Sequence, residues 1–181
     1  MKEIEIRALL DKEKYEQIKK ELEETYEKKN EDTITTVKFK PKDIRIRYSE
    51  KLQEIVFKDK DPTSLARKEI TVNLQNKTDC FEMIKLLGEF GLEQDPSWKT
   101  IKQEFTHEYN GINYTLSLQH IENFAYILEA EILADQEDEE KHISNLKHIL
   151  KNLKCEPIEP EEFKQKIKAY VTKYEKETFK K

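Results

Sequence analysis

This sequence has little cysteine, no long apolar run and no large excess of one charge sign, and each lack removes a class of protein. Its two cysteines, Cys80 and Cys155, stand far apart without a CxxC spacing. Reduced thiols in a cytoplasmic protein are expected, not a disulfide framework. No apolar stretch approaches the length of a membrane span, and the N-terminal segment lacks the apolar core of a secretion signal. Without such a signal, the Asn76-Lys77-Thr78 and Asn113-Tyr114-Thr115 tripeptides are coincidental matches to a glycosylation pattern. The formal net charge of −5 over 181 residues is too mild to demand nucleic acid or a membrane surface as partner. There is no internal repeat and no low-complexity linker, so residues 1–181 are expected to form one domain, large enough to bury a core.

The scattered polar residues offer few other sites. His107, His120, His142 and His148 have no metal-ligand spacing and are expected to be solvated or packing residues. Neither cysteine has a His/Asp partner pattern around it that would make it a nucleophile. Trp98, alone at a strand start, is expected to pack. The acidic run Glu137 to Glu140 suits the first turn of a helix.

What the chain has is charge, 39% of residues against 36% apolar, laid out in alternation. In the opening stretch KEIEIRALL, Glu3, Glu5 and Arg7 alternate with Ile4, Ile6 and Ala8. Period two is the signature of a strand with one apolar and one charged face. Strand patterns recur in TITTVKFK, IRIRYS, LQEIVFKDK, ARKEITVNL, WKTIKQEFTHEY, INYTLSLQH and FAYILEAEIL, with Asn110-Gly111 as a hairpin turn between two of them. Helical spacing appears at Tyr15, Ile18, Leu22 and Tyr26, at 79–90 with Asp79 as cap and Gly91 as stop, at about 136–153 and at 160–176. The fold class is therefore α+β: about eight mostly hairpin-linked antiparallel strands, whose edges close most simply as a barrel.

The charged alternation decides which way that barrel faces. Besides Glu3 and Glu5, the pairs Arg45/Arg47, Lys58/Lys60, Arg67/Glu69 and Glu129/Glu131 each put two charges on one face of a strand. Ile4, Ile6, Ile46, Ile55, Phe57, Ile70, Val72, Leu128 and Ile132 take the opposite faces. Four amphipathic helices also need an apolar surface to cover. The economical arrangement packs the helices on the outside and lines a tunnel with the charges. Converging Lys and Arg match a polyanion such as phosphate, and carboxylates on neighbouring strands match a hard divalent cation. Together they describe a metal–triphosphate site. The plainer alternative is a solvated sheet face with cross-strand ion pairs.

Glu3-Ile4-Glu5-Ile6-Arg7 resembles the ExExK signature of the CYTH domain, the triphosphate tunnel metalloenzyme superfamily of class IV adenylyl cyclases, thiamine triphosphatases and inorganic triphosphatases. DIRIRYS resembles its LRxR strand, IVFKDK the next strand with a tunnel lysine at Lys58, and ARKEITV its RxE strand. LQHIENFAYILEAE is similar to the strand pair D-x-V-x-x-L-G-x-F-x-E-x-E, with Phe124 and Ala125 at Leu-Gly, Ile127 at Phe, and Glu129 and Glu131 at the final acids. LKCEPIEPEEF resembles the closing helix region, so the likeness runs through nearly the whole chain in order.

The resemblance implies a cytoplasmic, metal-dependent hydrolase of a small triphosphate, monomeric or homodimeric, with Mg2+ or Mn2+ as cofactor and neither nucleic acid nor membrane as partner. Arg7, Arg45, Arg47, Lys58, Lys60, Arg67 and Lys102 would hold the phosphates, Arg7 and Lys58 would act in catalysis, and Glu3, Glu5, Glu129 and Glu131 would hold metal. Glu69 and Gln119 have no fixed role. The alternatives are a class IV-type cyclase that makes cyclic AMP and pyrophosphate, or a phosphate- or nucleotide-binding module without turnover. Four departures bear on activity. Lys102 replaces an arginine, Thr100 a lysine (with Lys99 expected to point away), Arg7 the final lysine of the signature, and Gln119 an acidic metal ligand.

Overall fold

The structure, a computed structural model, describes residues 2–58, 66–67, 69–135 and 138–178. Among them the order is β1 (Lys2–Leu10), α1 (Lys12–Thr25), β2 (Lys28–Lys40), β3 (Asp43–Tyr48), β4 (Gln53–Lys58), β5 (Ala66–Arg67), β6 (Glu69–Asn73), α2 (Lys77–Glu89), β7 (Glu93–Gln94), β8 (Trp98–Tyr109), β9 (Ile112–Ile121), β10 (Ala125–Ala134), α3 (Glu139–Asn152) and α4 (Pro160–Thr178). None of these helices is long and apolar enough to cross a membrane.

Local chemistry sets most boundaries. Asp11 caps α1, its carboxylate accepting from Lys14 N at 2.7 Å. Tyr26 was expected to continue the helix but is its C-cap in extended conformation, its half-buried ring edge-on to His107 at 4.9 Å. The cap of α2 is Asn76, not Asp79. Asn76 Oδ1 accepts from Asp79 N at 3.1 Å, and Asp79 Oδ2 accepts from Gln75 N at 3.1 Å. Asp79 thus sits three residues inside the helix, at the reciprocal position of a capping box. Asn110 (φ 54°) and Gly111 (φ 72°) both occupy the left-handed region that a two-residue hairpin demands.

All strand pairs are antiparallel, in the order β5-β1-β10-β9-β8-β2-β3-β4-β6, with β7 paired to β2. One face of the sheet is apolar and covered. Ile4, Ile6, Ala8, Phe105, Leu116, Leu118, Leu128 and Ala130 pack with Tyr15, Ile18 and Leu22 of α1 and Leu146, Ile149 and Leu150 of α3. Val37, Phe39 and Ile46 pack with Cys80 and Leu87 of α2. Each large aliphatic or Phe side chain among them contributes about 1.5–3 kcal/mol on burial, so these clusters outweigh the local caps. Ile70 and Val72 share this face but are exposed, because α2 packs on β3 and β4 and stops short of β6.

The opposite face carries the charge, and it is concave. From β1 to β4 the ladder order counts six strand spacings, about 29 Å across a flat sheet at roughly 4.8 Å each. Yet Lys58 Nζ on β4 lies 2.8 Å from Glu3 Oε2 on β1. The sheet is therefore strongly curled, with the helices outside. The closed ring of strand pairing expected from the sequence is corrected: the hydrogen-bonded order has two ends, β5 and β6. Strands β5 and β6 follow one another in the chain, β5 pairing with β1 and β6 with β4.

Candidate functional site

Register places the predicted charges together. Glu3, Glu5 and Arg7 of β1 lie on the concave face with Glu129 and Glu131 of β10, Gln119 of β9, Lys102 of β8, Arg45 and Arg47 of β3, Lys58 of β4 and Glu69 of β6. Lys60 lies outside the described residues. Arg67 is placed by backbone alone, opposite Glu3 in β5. Thr100 is buried on the concave side while Lys99 is exposed, as the alternation requires.

The cations are held by carboxylates. Arg45 forks onto Asp43, Nε to Oδ1 at 2.7 Å and Nη2 to Oδ2 at 2.9 Å. Arg47 Nε meets Glu54 Oε1 at 2.5 Å, with Glu69 at 3.7 Å. Lys58 Nζ joins Glu3 at 2.8 Å to Glu69 at 2.7 Å and so ties β1 to β6. Lys102 Nζ pairs with Glu104 at 2.6 Å. Arg7 Nη2 bridges Glu5 at 2.5 Å and Glu129 at 2.6 Å. Asp43, Glu54 and Glu104 were not singled out from the sequence. Their signal was present, since Asp43 extends the Arg45/Arg47 alternation and Glu104 follows Lys102 by two.

The charge balance differs across the site. Burial opposes ionisation of Arg7, Lys58 and Lys102. Glu129 and Glu5 outweigh it at Arg7, Glu5 and Glu3 at Lys58, and Glu131 and Glu104 at Lys102, so all three stay cationic above their ordinary range. Burial likewise works to raise Asp43, Glu69 and Glu104, but Arg45, Lys58 and Lys102 respectively hold these carboxylates low. Glu131 goes the other way, pushed up to about 8 by burial and by Glu129, against the pull of Lys102. Glu3 is also raised, by burial more than Lys58 compensates. Carboxylate oxygens of Glu3, Glu5 and Glu131 all lie within 4.8 Å of one another. This is a crowded, oxygen-only donor set in a largely desolvated place, which fits a hard divalent cation such as Mg2+ or Mn2+.

Gln119 lies beside this group with its amide on Glu129: Nε2 donates to Glu129 Oε2 at 2.6 Å and to Ser117 Oγ at 3.0 Å. From the C-terminal side, Ile158 N donates to Arg7 O at 2.7 Å, and the Phe163 ring of α4 lies 5.1 Å from the Arg7 guanidinium carbon. Tyr170 of the same helix packs 4.8 Å from Phe124, on the turn between β9 and β10. Sequence reading did not connect α4 to Arg7, because nothing in its own periodicity names a partner.

Residues outside the charged face play structural parts. His142 is buried, its Nδ1 3.0 Å from Tyr114 Oη, which also accepts from Asn145 Nδ2 at 2.7 Å. Cys80 and Cys155 are free and buried. Glu139 and Glu140 form the acidic first turn of α3, and Glu137 lies outside the described residues.

No family model and no curated protein matches the sequence. Solved structures do match the fold. A candidate adenylate cyclase from Vibrio parahaemolyticus superposes with a TM-score of 0.66 at 14% identity, covering 86% of this chain and 90% of its own. A candidate adenylyl cyclase from Hippeastrum with a dominant triphosphatase activity gives 0.58 at 12%, covering 88% and 90%. A chain of the Schizosaccharomyces pombe Mediator head module gives 0.59 at 13%, covering 87% and 98%. At these identities the likeness is one of fold. The fold is shared by chains of different function, so the site has to carry the functional argument.

Proposed function

We propose that the chain is a divalent-metal-dependent hydrolase of a small triphosphate, such as inorganic triphosphate, thiamine triphosphate or a nucleoside triphosphate, bound within the concave face. One observation carries this reading. Arginines and lysines from β1, β3, β4 and β8 converge on one curled face with a three-carboxylate donor set. Lys58, bonded to both Glu3 and Glu69, supports a tunnel in which the stretch holding β5 and β6 spans from β1 to β4.

Arg45, Arg47, Lys58 and Lys102, with Lys60 and Arg67 as expected additions, hold the phosphate chain. Phosphate oxygens replace Asp43, Glu54, Glu69 and Glu104 as their partners, and the arginine forks suit two oxygens at once. Glu3, Glu5 and Glu131 hold Mg2+ or Mn2+, which when bound offsets phosphate charge and activates water. Arg7 and Lys58 remain protonated at neutral pH, so they stabilise negative charge and do not act as bases. Water adds to the terminal phosphorus, the bond to the bridging oxygen breaks, and Arg7 and Lys58 offset charge on the phosphoryl group and the departing diphosphate. Gln119, an amide beside the carboxylates, favours one second reading, a phosphate-binding module without turnover.

The test is product analysis with inorganic triphosphate, thiamine triphosphate and ATP, each with Mg2+ or Mn2+. Released orthophosphate supports the hydrolase. Cyclic AMP with pyrophosphate makes it a cyclase, and tight binding without product makes it a module. Absence of binding to all three rejects the reading.

A further inference from the structure

Both oxygens of Glu129 lie against groups of the chain itself, a cation at one and an amide at the other. Oε1 faces Arg7 Nη2 at 2.6 Å and Oε2 accepts from Gln119 Nε2 at 2.6 Å. Its side chain is 9% exposed, so these donors set its environment. It is not among the carboxylates that crowd together; those are Glu3, Glu5 and Glu131. The amide is oriented by a second bond, since Gln119 Nε2 also donates to the buried Ser117 Oγ at 3.0 Å. Ser117 is the cross-strand partner of Glu129, and Ile127, two residues earlier on β10, is the partner of Gln119. The register of β9 and β10 thus holds Ser117, Gln119 and Glu129 in one cluster.

We infer that Gln119 is a positioning residue that withdraws Glu129 from the cation and makes it the counter-ion of Arg7, so that this chain binds a single divalent ion through Glu3, Glu5 and Glu131. The physical reason lies in the donor chemistry of position 119. A carboxylate there would set two anions in contact, and that pair would need a proton or a cation between them. An amide instead presents N–H groups and occupies the oxygen a metal would use. Glu129 then holds Arg7 together with Glu5, with Phe163 beyond the guanidinium. With Glu129 so engaged, the one crowded group of carboxylates among the described residues is Glu3, Glu5 and Glu131, a single place for a hard cation.

The inference rests on the metal–triphosphate reading, and the experiment separates the two. The full chain is titrated with Mn2+ alone, and free Mn2+ is followed by electron paramagnetic resonance. The expected stoichiometry is one ion per chain. Glu131→Gln weakens Mn2+ binding at least tenfold, whereas Glu129→Gln changes it less than threefold. Gln119→Glu, which places a second carboxylate against Glu129, raises the stoichiometry to two. Thermal melts accompany every variant, and the Gln119→Glu stoichiometry decides the matter if Glu129→Gln does not fold. Two ions bound by the unmodified chain, a Glu129→Gln loss equal to that of Glu131→Gln, or a Gln119→Glu protein that still binds one ion would each overturn the inference while leaving a metal site standing. No Mn2+ bound by the unmodified chain would overturn both.

Discussion

At the scale of single residues, the inward charges divide into cations already satisfied by carboxylates and carboxylates left crowded. Replacing Arg45 or Arg47 by alanine should weaken binding of inorganic triphosphate about tenfold to a hundredfold, the size expected for losing a charge-assisted pair of roughly 1.5–3 kcal/mol. Calorimetric titration checks this, and equal affinity in variant and parent would remove these arginines from the phosphate site. Asp43 gives a pH test. Its carboxylate is held below the ordinary 3.8 by Arg45, so its contribution to stability is present above that pH and is lost as pH falls through the lower folded value. The melting-temperature gap between parent and Asp43→Asn should be constant from about pH 5 to 8 and shrink below about pH 4. A gap that widened in acid would contradict the Arg45–Asp43 assignment. The alternation that found Glu3, Glu5, Arg45 and Arg47 was legible because period two fixes faces. Which carboxylate meets which cation was not, because that depends on strand order.

At the scale of elements, caps and turns follow from their own sequence. Gly111 sits at φ 72° with open space around its Cα, so a methyl group there meets no neighbour and the cost is purely conformational. Gly111→Ala should destabilise by about 1 kcal/mol, a fall of roughly 2–4 °C in melting temperature for a chain of this size. Asn76→Ala should cost a similar ~1 kcal/mol by removing the cap of α2. A scan that left either unchanged would mean the turn or cap relaxes into another form. Two boundaries were misread for a shared reason. Lys28 to Asp32 carries no apolar alternation, yet pairs with β8 from Phe105 to Lys102. Asp79 reads as a cap by composition, yet serves Gln75 from inside the helix. In both cases a partner elsewhere in the fold outvoted the local pattern.

At the scale of the whole molecule, ligand binding should report on the curl. A triphosphate with Mn2+ would link β1, β3, β4 and β8 at once. At a hundredfold excess over Kd it should add about 2.7 kcal/mol, or roughly 5–11 °C in melting temperature. The shift should disappear in an Arg45→Ala, Arg47→Ala double variant. Stabilisation unchanged by that variant would locate the anion elsewhere. Phe163 belongs to this scale too, because α4 comes from the far end of the chain to reach Arg7.

The sequence by itself determined that the strands have one charged and one apolar face and that four helices need apolar cover, since side-chain periodicity is a local property. Tertiary structure decided the rest. Helices α1, α2 and α3 cover the apolar face, so the charges turn inward. The curl that brings Lys58 to Glu3, the two open ends of the pairing at β5 and β6, and the choice of Gln119 and Arg7 as partners of Glu129 come from strand order and register. These are long-range facts, set by which strands lie side by side, and no window of sequence contains them.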